Sequence, residues 1–152
     1  VDVNRAVASA YFTVGEHESN REHLAEAAAA AEAGGDPVTL TEIAMQQCHV
    51  FSQFGDDAGR AVRVGRRALE MANRLEDEGL SYGARFALGH ACWITGDYDS
   101  AIELLSANLP ENMGDSTRIR DFGTAGSLLL DSMSILGETL AHRGDFDRPF
   151  RF

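Results

Sequence analysis

Glycine punctuation is what most limits the fold of this chain. Gly15, Gly55, Gly96 and Gly144 recur at intervals of about 40 to 48 residues, each between stretches with helical apolar spacing. The sharpest unit runs from Phe86 to Leu109. Leu88, Ala91 and Cys92 mark the buried stripe of one helix, and Gly96-Asp97 makes the turn. Tyr98, Ala101, Ile102 and Leu105 mark the stripe of the next helix. So short a hairpin cannot bury both of its faces alone, so it needs neighbours of its own kind. No stretch sustains the period-two alternation of a half-buried strand.

Read in order, the pattern predicts about seven helices in antiparallel pairs. Val3 to Val14 has helical spacing and ends at Gly15. Ser19-x-x-Glu22 reads as a capping box opening a helix with the narrow stripe Leu24, Ala27, Ala28 and Ala31. Gly34-Gly35-Asp36-Pro37 breaks that helix. Thr39-x-x-Glu42 reads as a second capping box before Ile43, Ala44, Gln47, Cys48, Phe51 and Phe54. Asp57 to Leu75 predicts the next helix, with Ala61, Val64, Ala68, Ala72 and Leu75 inward. The charged turn Glu76 to Gly79 leads into Leu80–Thr95 and Tyr98–Leu109. Residues 110–123 read as a longer connection, either an interaction loop or filler. Leu129, Met133, Leu136 and Leu140 mark a last full helix ending at Arg143-Gly144, and Pro149 allows only a stub beyond it. The expected hairpins are about 2–35, 39–75, 80–109 and 124–152 of one helical-repeat domain.

The self-similarity extends to short motifs. Gly96-Asp97-Tyr98 matches Gly144-Asp145-Phe146, and Leu88-Gly89 and Leu136-Gly137 precede them by the same distance. Glycine there lets the helices of a hairpin approach closely. Leu88, Gly89, Gly96, Asp97, Tyr98, Ala101, Ile102 and Leu109 fall on the positions of the tetratricopeptide motif, which this segment resembles. The period is longer than that family's standard unit. The resemblance implies an all-α, right-handed α-α superhelix, or solenoid. The run from Ile119 to Phe146 looks like the C-terminal repeats of large bacterial signalling proteins of the class III adenylate cyclase type. That likeness implies a fragment of a longer multidomain regulator. It also implies a noncatalytic scaffold for protein–protein interaction.

Composition narrows the function classes. The net charge of −11 disfavours general nucleic-acid binding. No run of about 18 apolar residues offers a membrane span. The two cysteines, Cys48 and Cys92, sit in apolar helical stretches and read as buried thiols of a cytoplasmic protein. Neither a nucleophile elbow nor a phosphate-binding glycine loop is present. The carboxylates cluster at helix starts and turns, where the helix dipole favours them. Cys48-His49 and His90-x-Cys92 invite a zinc site, but helical neighbours diverge by about 100° per residue and cannot share one ion. We therefore expect no enzyme, metal or cofactor.

Two surfaces remain as binding candidates. By the motif's register, Met45, His49, Phe86, His90, Trp93, Glu138 and His142 point into a concave groove suited to a protein or peptide. The competing reading packs Phe86 or Trp93 between repeats as core. A small effector bound near Phe86, His90 and Trp93 is an alternative, as is a homodimer formed through exposed array ends. Arg60, Arg63, Arg67 and Arg74 share one helical face, with Arg66 beside them. They form either a docking face for an acidic partner or an ordinary solvated face.

Overall fold

The computed structural model describes residues 17–54, 58–109 and 128–144. It holds six helices there: α1 His17–Gly34, α2 Pro37–Phe54, α3 Ala58–Arg74, α4 Glu78–Ile94, α5 Tyr98–Ser106 and α6 Leu128–Arg143. There are no strands among the described residues. The expected helix at 3–14, the 110–123 connection and the stub after Gly144 lie outside them, as do Gly15 and Gly55.

Each helix packs on the next in sequence, and α4 also packs on both α2 and α6. Helix α4 is therefore the centre of the molecule. The expected stripe was Leu88, Ala91 and Cys92, yet every residue from Phe86 to Cys92 is buried. Four neighbouring helices leave it little open face. This is why α4 tolerates Gly83 and Gly89 and is otherwise rich in small side chains.

The apolar stripes behave as their spacing predicts. Leu24, Ala27 and Ala31 of α1 meet Ile43 and Val50 of α2. Ala61, Ala68 and Ala72 of α3 are fully buried against Cys48, Leu80, Ala84 and Ala91. Ile102 and Leu105 of α5 pack with Phe86, Leu136 and Leu140. The core is thus one of close helix contact through small residues. Glycine sets two of those contacts. A Cβ on Gly89 would lie 2.9 Å from Leu105, and one on Gly65 would lie 2.9 Å from Cys48 Sγ. The first closes the α4–α5 hairpin as Leu88-Gly89 suggests; the second, between α2, α3 and α4, is an addition.

The helix ends correct two expectations. Thr39 does not cap α2. Asp36 does, accepting the Thr39 amide at 3.1 Å and the Thr39 hydroxyl at 2.6 Å. Pro37 occupies the first helical position, where its missing N–H costs nothing, and this moves the start upstream. Likewise Ser19 lies inside α1, not before it. The turns at Gly96 and Gly144 hold. Asp97 accepts the Ser100 amide, and Gly96 takes the left-handed conformation at φ 78°. Gly144 does the same after α6.

Candidate functional site

Helices α2, α4 and α6 come together because α4 packs on both others. Residues about 40 apart in sequence thereby become spatial neighbours. His49 of α2 and His90 of α4 meet with ring centroids 5.4 Å apart. Trp93, one turn further along α4, places its ring 5.7 Å from His90, and the Phe86 ring stacks 6.3 Å on the other side. The result is a continuous row of rings across the α2–α4 contact.

Ser52 orients this row. Its hydroxyl donates to the His49 carbonyl oxygen at 2.9 Å and lies 3.2 Å from His90 Nδ1. Burial holds both imidazoles neutral. His90 is pushed down from 6.5 to about 4, by burial first and by the neighbouring His49 second. His49 is also lowered by burial, with the Asp131 carboxylate pulling the other way. Asp131 belongs to α6. Its carboxylate therefore acts on His49 of α2 from a different helix.

The expected groove residues divide. His49 and Trp93 are half-buried and line the surface. Met45, Phe86 and His90 are each only 7% exposed. Met45 packs into the core between α2 and α4 with Ala44, Cys48 and Ala84, and Phe86 packs between α4, α5 and α6. They are packed inside rather than offered as contact area. Glu138 is exposed on α6. His142 stacks on Tyr98 at 5.8 Å, and the adjacent Arg143 pairs with Asp99, so both belong to the α5–α6 contact. Two contributors carry no apolar or aromatic signal and were missed from sequence: Ser52 and Asp131. Their repeat positions were available, but serine and aspartate at a helix surface look solvated.

The thiols are structural. Cys48 donates to the Ala87 carbonyl oxygen at 3.3 Å, and burial pushes it up to about 12. Burial likewise raises Cys92 to about 11. Both remain neutral thiols near neutral pH. Among the described residues no group of three His, Cys, Asp or Glu could hold a metal ion. No helix among them is long and apolar enough to cross a membrane.

The arginine stripe lies on α3. Arg60, Arg63, Arg66, Arg67 and Arg74 are all exposed, on the side turned from the buried Ala61, Gly65, Ala68 and Ala72. Arg60 sits over the Phe51 ring at 4.2 Å, and Arg67 reaches Glu32 of α1 at 3.5 Å.

Compared with known proteins, the chain matches no family model, no curated protein and no solved structure.

Proposed function

We propose that this chain is a noncatalytic interaction module, a tetratricopeptide-like solenoid that receives a protein segment on the face shared by α2, α4 and α6. The observation that carries the reading is the row His49, His90 and Trp93 flanked by Asp131, assembled from three helices that are remote in sequence. A right-handed superhelix with its first helices inward would bring α2, α4 and α6 together, in keeping with the packing of α4 on both others. Such a face has the components of a peptide site. Trp93 supplies a rigid aromatic surface, and aromatic anchors often dominate binding energy. The neutral imidazoles supply hydrogen bonds without the desolvation cost of charge. Both thiols are raised by burial, which does not suit them to nucleophilic chemistry. The likeness to repeats of bacterial class III adenylate cyclase regulators suggests a scaffold role within such a regulator.

Selection of displayed random peptides against the chain tests this reading. Trp93 is the only tryptophan. Selected peptides should shift or quench its emission, and Trp93→Ala with His49→Ala should weaken them by about tenfold or more. Selected peptides that bind both variants as well as the parent chain would assign recognition to another surface.

A further inference from the structure

Helices α2, α4 and α6 are short of cations. Together they hold four carboxylates, Glu42, Glu78, Asp131 and Glu138, against two guanidiniums. Both guanidiniums are engaged on the α5 side. Arg85 Nε donates to Asn108 at 2.8 Å, and Arg143 pairs with Asp99. His49 and His90 add no positive charge near neutral pH, because burial lowers both. The three helices that carry the ring row are thus left with a negative balance.

Asp131 is the acid that reaches the rings. It lies one turn before Ile135 on α6, and Ile135 packs with Tyr82 and Phe86 of α4. Its carboxylate acts on His49 and on Tyr82, residues of two different helices. Asp131 is half-buried, and among the described residues it forms no ion pair. Neither the Tyr82 nor the Ser132 hydroxyl donates to it. The helix dipole favours an acid in the first turn of α6, but it does not require one set against a cluster of rings. Half-burying a carboxylate costs hydration that a counter-charge would restore.

We propose that the segment received on this face presents a basic side chain, lysine or arginine, to Asp131. The inference rests on the peptide-binding reading and names what that peptide must carry. The carboxylate takes the cationic head through a charge-assisted hydrogen bond, about twice as strong as a neutral one. The half-buried His49 ring lies alongside for the aliphatic stem. Trp93, further along the row at ring spacings of 5.4 and 5.7 Å through His90, is left for an apolar neighbour in the segment. An acidic segment would set like charge against Asp131 and is disfavoured. The total charge of −11 draws any cation toward the chain, so the controls separate Asp131 from the general field.

Three fluorescein-labelled hexapeptide pools test this. Each is randomised over alanine, leucine, valine, phenylalanine and serine, with the third position fixed as lysine, glutamine or glutamate. Binding is read by anisotropy at physiological salt, and Trp93 emission is followed with unlabelled pools. The lysine pool should bind about fivefold more tightly than the glutamine pool, with the glutamate pool weakest. Asp131→Asn should remove that preference and leave the glutamine pool unchanged. Glu103→Gln, which removes one exposed charge from α5, should leave the preference intact. Should Asp131→Asn lose its helical circular dichroism, the Asp131 carboxylate carbon shift of the parent chain replaces it, and should move with the lysine pool alone. Pools that shift Trp93 equally whatever the fixed residue would leave the peptide reading standing and overturn this one. A lysine preference that survives Asp131→Asn would belong to the general field and also overturn it. Failure of every pool to bind or to shift Trp93 would overturn both readings together.

Discussion

At Gly65 a Cβ would lie 2.9 Å from Cys48 Sγ and 3.2 Å from Leu88 Cα. On an open helix Gly→Ala is worth about 1 kcal/mol of added stability. Here the Leu88 backbone cannot move aside, so overpacking of about 1–3 kcal/mol wins. Gly65→Ala should lower the midpoint of urea unfolding, and an unchanged or raised midpoint would mean α3 and α4 are further apart than described. His90 gives a pH signature at the same scale. Its imidazole is held neutral down to about 4, against an ordinary 6.5. As pH falls below 6.5 the unfolded chain takes up a proton that the native chain refuses. Stability is therefore lost between about 6.5 and 4 and levels off for this group below that window, by up to roughly 3 kcal/mol. Urea melts across this range should show a shallower decline for His90→Gln than for the parent chain. Parallel declines would place His90 in contact with water.

Element ends show how local chemistry overrode the simplest reading of motifs. Thr39-x-x-Glu42 has the form of a capping box, yet Asp36 caps α2 because Pro37 is already suited to the first helical turn. Asp36→Ala should cost about 1 kcal/mol, while Thr39→Ala, which keeps the capping carboxylate, should cost less. The order of the two thermal midpoints decides between the caps. The α3–α4 turn uses Glu76 at φ 53°, a left-handed conformation that an L side chain adopts only at a cost. Glu76→Gly should therefore raise stability by up to about 1 kcal/mol. At the end of α5, Asn108 accepts from Arg85 Nε at 2.8 Å and donates to the Tyr82 carbonyl oxygen at 3.0 Å. This buried amide ties the end of the hairpin to α4. No periodicity marks it, because a single asparagine after a helix has the same composition as any loop.

At the scale of the molecule, helix positions and inward stripes were legible because helical period and glycine turns are local signals. Leu24, Ala27 and Ala31, or Ala61, Ala68 and Ala72, show their faces in any window of two turns. The meeting of His49 with His90 is set by the packing of α2 on α4, which no local window of the sequence contains. The burial of Met45 and Phe86 was not legible either. Whether Met45 and Phe86 face outward or pack depends on how closely α2, α4 and α6 approach, and that is set by small residues on other helices. Asp131 and Ser52 were hidden for the converse reason, since only tertiary placement distinguishes them from ordinary surface residues.

The central claim, that the α2–α4–α6 face receives a peptide segment, is tested most directly by mapping amide and side-chain NMR shifts as a selected peptide is titrated into the chain. The account predicts the largest shifts at His49, Ser52, His90, the Trp93 indole and Asp131, with little change on α1. Shifts confined to α1, α3 or α5, with the Trp93 indole unmoved at saturation, would contradict it.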